Sequence, residues 1–129
     1  DNTYYGGEVN KKHIPFIISQ FNICIIPYNT KLHLNKYSFP TKLFEYFYAG
    51  KPVVSTPIQE LQRFLPYIRF ALSSTEWSMT LRNLLKQSWP QKYKRMQKHI
   101  AEYSNWDNKV NAICKLILIQ DKNELSKGI

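Results

Sequence analysis

Two apolar runs, "NICIIPY" at 22–28 and "KPVVST" at 51–56, set the tightest limit on what this chain can fold into. Both are rich in β-branched residues and too short for a helix, the pattern of a strand covered on both faces of a sheet. Helix-period stretches lie before, between and after them. "NTYYGG" (2–7) reads as a further short strand ending in a glycine turn. Asn10 can cap a helix that carries Ile14, Ile17, Ile18 and Phe21 on one face, with Pro15 tolerated in its first turn. The polar stretch "NTKLHLNKYS" (29–38) reads as a loop. A helix bearing Leu43, Phe44 and Phe47 follows and stops at Gly50 and Pro52. "PIQELQRFL" (57–65) opens another helix, and "IRFALS" (68–73) is a short strand. Ser73 and Glu76 form a capping box for a helix with Trp77, Leu81, Leu84 and Leu85. A polar, basic helix runs from about 91 to 103. Ser104 then caps a last helix with Trp106, Val110, Ile113, Cys114 and Ile117 on one face, and the tail is expected to fray from Asp121.

This alternation predicts an α/β class, a Rossmann-like parallel sheet with helices on both faces that ends in two or three helices. About four strands are few for such a sheet, which usually has five or six. The sequence is expected to begin directly on a strand at Asp1, so a domain truncated on its N-terminal side is expected.

At 129 residues the chain suits one domain, and 43% hydrophobic with 21% charged residues is a globular composition. The net charge of +9 admits a nucleic acid, an anionic membrane surface or a phosphate-bearing small molecule as partner, or simply a solvated basic face. The densest basic clusters are "KYKR" (92–95) and "KK" (11–12). No aromatic residues alternate with Lys or Arg along a strand, so nucleic acid is not expected as a partner. Cys24 and Cys114 both fall on apolar patterns and are expected to be buried free thiols, which suits a reducing cytoplasm. Neither lies at metal-ligand spacing from another Cys or a His, so no metal is expected. His13, His33 and His99 are scattered, and no nucleophile elbow, dinucleotide fingerprint or P-loop is present. No signal peptide is expected, and no apolar run approaches the roughly 18 residues of a spanning helix.

The most informative stretch is "YSFPTKLFEYFYAGKPVVSTP" (37–57), where the acid Glu45 stands among Phe44, Tyr46, Phe47 and Tyr48. In an open parallel sheet, ligands sit beyond the carboxyl ends of the strands, and the loop 29–39 leads from such an end into the Glu45 helix. Free N–H groups of Phe39, Thr41 and Lys42 at that helix start could seat a phosphate, helped by the Thr41 hydroxyl and the Lys42 ammonium. Thr41 and Glu45 are four apart and share a face, which would let the carboxylate take a ribose diol. The competing reading is structural: Glu45 pairs with Lys42 or Lys51, and Thr41 is only a cap.

"SFPTKLFEYFYAGKPVVSTPIQEL" resembles the donor-binding segment of the retaining glycosyltransferases of family 4, which have the GT-B fold. "TYYGGEVNKKHIPFIISQFNICIIPY" and "YSNWDNKVNAICKLI" resemble the flanking parts, so the likeness spans about 2–118. It implies a partial donor-nucleotide-binding α/β domain over 1–120, followed by the tail 121–129. In the family's E-x7-E motif the second acid accepts from the ribose hydroxyls, and Glu45 matches it. Ser38, Phe39, Pro40 and Thr41 match the loop that faces the donor's phosphates and sugar, while Gly6, Gly7 and Val9 match the segment near the base. Tyr37 stands where the first acid belongs, and Pro40 removes one backbone donor from a loop that is usually Gly-Phe-Gly. The implied substrates are a nucleotide-diphosphate sugar and a glycan or lipid-linked acceptor, with no cofactor or metal. The acceptor domain and the catalytic groups would lie elsewhere, so the isolated chain is expected to be inactive. Cell-surface polysaccharide or glycolipid assembly in a bacterial cytoplasm, peripheral to the inner membrane face, is the implied setting. The alternative is a non-catalytic basic α/β module that binds nucleic acid or a protein partner.

Overall fold

The computed structural model describes residues 2–125, with side chains through 116. Three short parallel strands form its centre in the order β1-β2-β3: β1 (Cys24–Ile26), β2 (Val53–Ser55) and β3 (Arg69–Phe70). Cys24 pairs with Val53 and Ile26 with Ser55, then Ser55 pairs with Phe70. The helices are α1 (Ile14–Gln20), α2 (His33–Tyr37), α3 (Lys42–Tyr48), α4 (Ser74–Lys86), α5 (Gln91–Tyr103) and α6 (Trp106–Leu125). The expected α/β class with a parallel sheet is what the chain adopts.

β2 is buried at all three positions. Successive strand side chains point to opposite faces, so both faces of the sheet are covered at its centre. Ile18, Ile26, Leu43, Phe47, Val53, Ile58, Leu61 and Ile68 make the core around it. The polar groups inside are satisfied. The Ser55 hydroxyl donates to the Thr56 carbonyl at 2.8 Å, and the Thr56 N–H donates to the Ile26 carbonyl at 3.1 Å. Gln97 of α5 is fully buried: its amide nitrogen donates to the carbonyls of Lys51 (3.0 Å) and Tyr67 (2.9 Å), and its oxygen accepts from Trp89 Nε1 (3.0 Å). That side chain bolts α5 to the entrance of β2 and to the segment before β3.

Several expectations are corrected. β1 is an edge strand with Ile25 45% exposed, so only one of its faces is covered. "NTYYGG" forms no strand: among the described residues, 2–10 have no neighbouring strand to pair with, and they are exposed. The loop 29–38 contains the helical turn α2, and the stretch after Pro57 is a 3-10 helix, Gln59–Phe64, instead of an α-helix. Asn105, not Ser104, caps α6, its side-chain oxygen accepting from the Asn108 N–H at 2.8 Å. α6 keeps its apolar ridge uncovered: Trp106 is 78% exposed, and Val110, Ile113 and Cys114 are exposed as well. Cys114 is therefore not a buried thiol, and the Ile117 side chain lies outside the described ones. α6 continues through Leu125, past the expected start of the tail, and 126–129 lie outside the described residues. No helix among the described residues is long and apolar enough to cross a membrane.

Other local readings hold. Asn10 caps the turn that leads into α1 by accepting from the Lys12 N–H, and the Ser73–Glu76 capping box makes both of its bonds. Gly50 has φ +63° and ends α3 in the left-handed region.

Candidate functional site

α3 exists because its residues recur at helical spacing: Leu43 and Phe47 enter the core, and Phe44 is half-buried beside them. Glu45 is carried round to the exposed side, on the wall of a cleft of about 430 Å³ between α1 and α3. Ile14, Pro15 and Ile18 form the opposite wall, Tyr48 and Ala49 continue that of Glu45, and Lys11 stands at the same opening.

The carboxylate makes no hydrogen bond and no ion pair among the described residues. Both cations that the structural reading would give it are engaged elsewhere. Lys42 Nζ lies 5.2 Å from the centre of the Tyr28 ring, and Lys51 Nζ donates to the Ser19 carbonyl at 2.6 Å. Thr41 makes no side-chain capping bond. Glu45 is thus an acid held by its own backbone over an apolar cleft, with its oxygens free to accept. Its charge also acts on Tyr46, whose phenol is pushed up first by burial and then by the charges of Cys24, Glu45 and Tyr28.

The other residues singled out by sequence fall into two groups. Ser38, Phe39, Pro40, Thr41 and Lys42 lead into α3, and the Thr41 and Lys42 N–H groups have no backbone partner among the described residues. Pro40 is buried, and its carbonyl accepts from the Leu43 N–H at 3.0 Å to start the helix. The Ser38 hydroxyl donates to the Asn35 carbonyl at 3.3 Å. Phe39 turns inward, 5.2 Å from the Phe44 ring and 6.0 Å from that of Phe64. None of these five lines the Glu45 cleft. Gly6, Gly7 and Val9 make the second group. They lie on the exposed segment before α1, and a side chain built at either glycine would meet nothing within 4 Å. The structure does not bring them against the Glu45 cleft. Tyr48, already noted beside Glu45 in the sequence, lines it from the same helix, whereas Lys11 and Pro15 carried no signal for it because they come from a segment about thirty residues earlier in the chain. Among the described residues no group of three His, Cys, Asp or Glu side chains could hold a metal ion.

The structure thus sets an acid with no partner among the described residues beside an apolar cleft on the flank of an open parallel sheet. No protein-family model matches the chain, and no solved structure matches it. The chain is similar, at 29% identity over 123 residues, to the "Putative teichuronic acid biosynthesis glycosyltransferase TuaH" of Bacillus subtilis (strain 168). The match covers 92% of this chain, which spans 31% of that protein's length. The likeness supports a glycosyltransferase at the general level.

Proposed function

We propose that this chain is the nucleotide-sugar-binding domain of a retaining, family-4 glycosyltransferase with the GT-B fold. It would serve the transfer of a sugar from a nucleotide-diphosphate sugar to a glycan or lipid-linked acceptor, in cell-surface polysaccharide or glycolipid synthesis. The observation that carries the reading is Glu45: an exposed acid at the motif position, unpaired among the described residues and set on the wall of an apolar cleft. A carboxylate with free lone pairs accepts two hydroxyl donors at once, which a ribose diol supplies. The apolar wall of Ile14 and Pro15 offers a flat partner to a base. In this reading the diphosphate is taken by the N–H groups of Thr41 and Lys42, which have no backbone partner among the described residues, and by the Lys42 ammonium once it leaves the Tyr28 ring. The similarity to a glycosyltransferase named for teichuronic acid biosynthesis supports the polysaccharide setting.

In this reading the chain binds and orients the donor, and the start of α3 together with cations stabilises the departing diphosphate without a metal. The acceptor and the groups that act on it belong to a separate acceptor domain, so this chain alone transfers nothing. An anionic membrane surface at the cytoplasmic face is the proposed location, consistent with the charge of +9.

Calorimetric titration with UDP, GDP and their common sugar conjugates tests the proposal. One nucleotide binds selectively, and Glu45→Gln weakens it about ten- to a hundred-fold, the cost of a charge-assisted hydrogen bond. Binding that is equal for all nucleotides and indifferent to Glu45→Gln, or no binding at all, contradicts it. Tight, steeply salt-dependent binding of DNA or RNA instead would point to the basic binding module.

A further inference from the structure

A second opening of about 600 Å³ lies between the 3-10 helix Gln59–Phe64, the entry to α3 and the start of α6. Its floor is a cluster of three phenylalanines. Phe39 and Phe44 are 5.2 Å apart between ring centres, and Phe64 lies 6.0 and 6.1 Å from them. Two cations stand over this floor. The Arg63 guanidinium is 5.4 Å from the Phe39 ring and 5.1 Å from that of Phe64, and Lys109 Nζ is 5.9 Å from that of Phe44.

Neither cation is neutralised in the cleft. Among the described residues Lys109 has no carboxylate within ion-pair distance, and Arg63 has only Glu60 at 3.9 Å, an exposed pair that contributes little. Positive charge held over ring faces is stabilised there but keeps its N–H donors free for an anion. Ser104, half-buried on the facing wall, has a hydroxyl with no partner among the described residues.

The ring geometry bears on which anion fits. The three rings meet tilted or edge-on, at 33°, 57° and 86°, so they leave no pair of parallel faces to clasp a planar base. They instead present a stepped apolar floor that matches the uneven C–H face of a saturated ring. We propose that this cleft is a binding site for an anionic saccharide, a sugar ring bearing a carboxylate or a phosphate. The acid group binds Arg63 and Lys109 above the rings, and the sugar ring lies beside them in the opening, within reach of the Ser104 hydroxyl on the facing wall. The site is separate from the Glu45 cleft, with Phe44 as the shared wall, and it does not depend on what Glu45 binds.

The test is a series of amide-shift titrations of the labelled chain with glucuronic acid, glucose 6-phosphate, glucose and inorganic phosphate. Both acidic sugars shift the Phe44, Arg63 and Lys109 amides saturably, and glucose and phosphate bind at least about tenfold more weakly. Arg63→Gln and Lys109→Gln each weaken the acidic sugars about tenfold while the rest of the spectrum keeps its native dispersion. Glu45→Gln leaves these titrations unchanged. Phosphate binding as well as glucose 6-phosphate would mean a bare anion patch, and glucose binding equally would remove the role of the cations. Indifference to both variants, or no saturable shift at these amides, would overturn the proposal. A preference between the two acidic sugars tells carboxylate from phosphate.

Discussion

Glu45 and the two cysteines show how differently three ionisable side chains can be placed on one small domain. Glu45 gains nothing from its neighbours, so Glu45→Gln is expected to leave stability within about 0.5 kcal/mol, checked by thermal unfolding, while it changes nucleotide binding. Burial pushes the Cys24 thiol up from 9.0 to about 11, against the opposing pull of Lys51. It therefore stays a thiol at neutral pH and resists alkylation, whereas the exposed Cys114 is modified by iodoacetamide in the folded protein. The same shift makes stability depend on alkaline pH. Between about 9 and 11 the unfolded chain has lost the Cys24 proton that the folded chain keeps, so stability falls across that window, by on the order of 2 kcal/mol. Denaturant melts at pH 8 and pH 10.5 would show the loss, and Cys24→Ala would reduce it. The raised Tyr46 phenol works in the same direction. At this scale the sequence was half legible. Glu45 could be singled out because an acid amid aromatics at a motif position is unusual. Lys11, Arg63 and Lys109 could not, since their neighbours come from segments far apart in the chain.

Elements formed where local chemistry was decisive and failed where a partner was needed. The Ser73–Glu76 capping box and the Gly50 stop are short-range devices, and both are present as read. Among the described residues "NTYYGG" has strand-like residues but no strand to pair with, and the ridge of α6 has helical periodicity but nothing covering it. Gln97 was invisible for the opposite reason. It reads as one more polar residue in "QKYKRMQKHI", yet it is buried and carries three hydrogen bonds. Gln97→Leu keeps the volume but leaves the Trp89 N–H and two carbonyls unpaired, and is expected to cost about 2–4 kcal/mol in denaturant unfolding. Gly50→Ala is strained twice. It needs φ +63°, and its new Cβ would stand 3.3 Å from that of Lys94 on α5. A loss of about 1–2 kcal/mol follows from the backbone term alone.

For the whole molecule, the class of fold was readable because buried β-branched runs alternating with helices admit few other solutions. How many strands there are, and which edge is open, depends on long-range pairing that no local pattern encodes. The resulting body is a small parallel sheet with helices packed around it and two clefts that meet at Phe44. A thermodynamic cycle shows whether Glu45 holds a ribose. The nucleoside diphosphate that binds best and its 2′,3′-dideoxy analogue are each titrated into the wild-type chain and into Glu45→Gln. If Glu45 holds the ribose, the missing hydroxyls cost about ten- to a hundred-fold in the wild type and far less in Glu45→Gln. An equal loss in both proteins would contradict it and place the ribose away from Glu45.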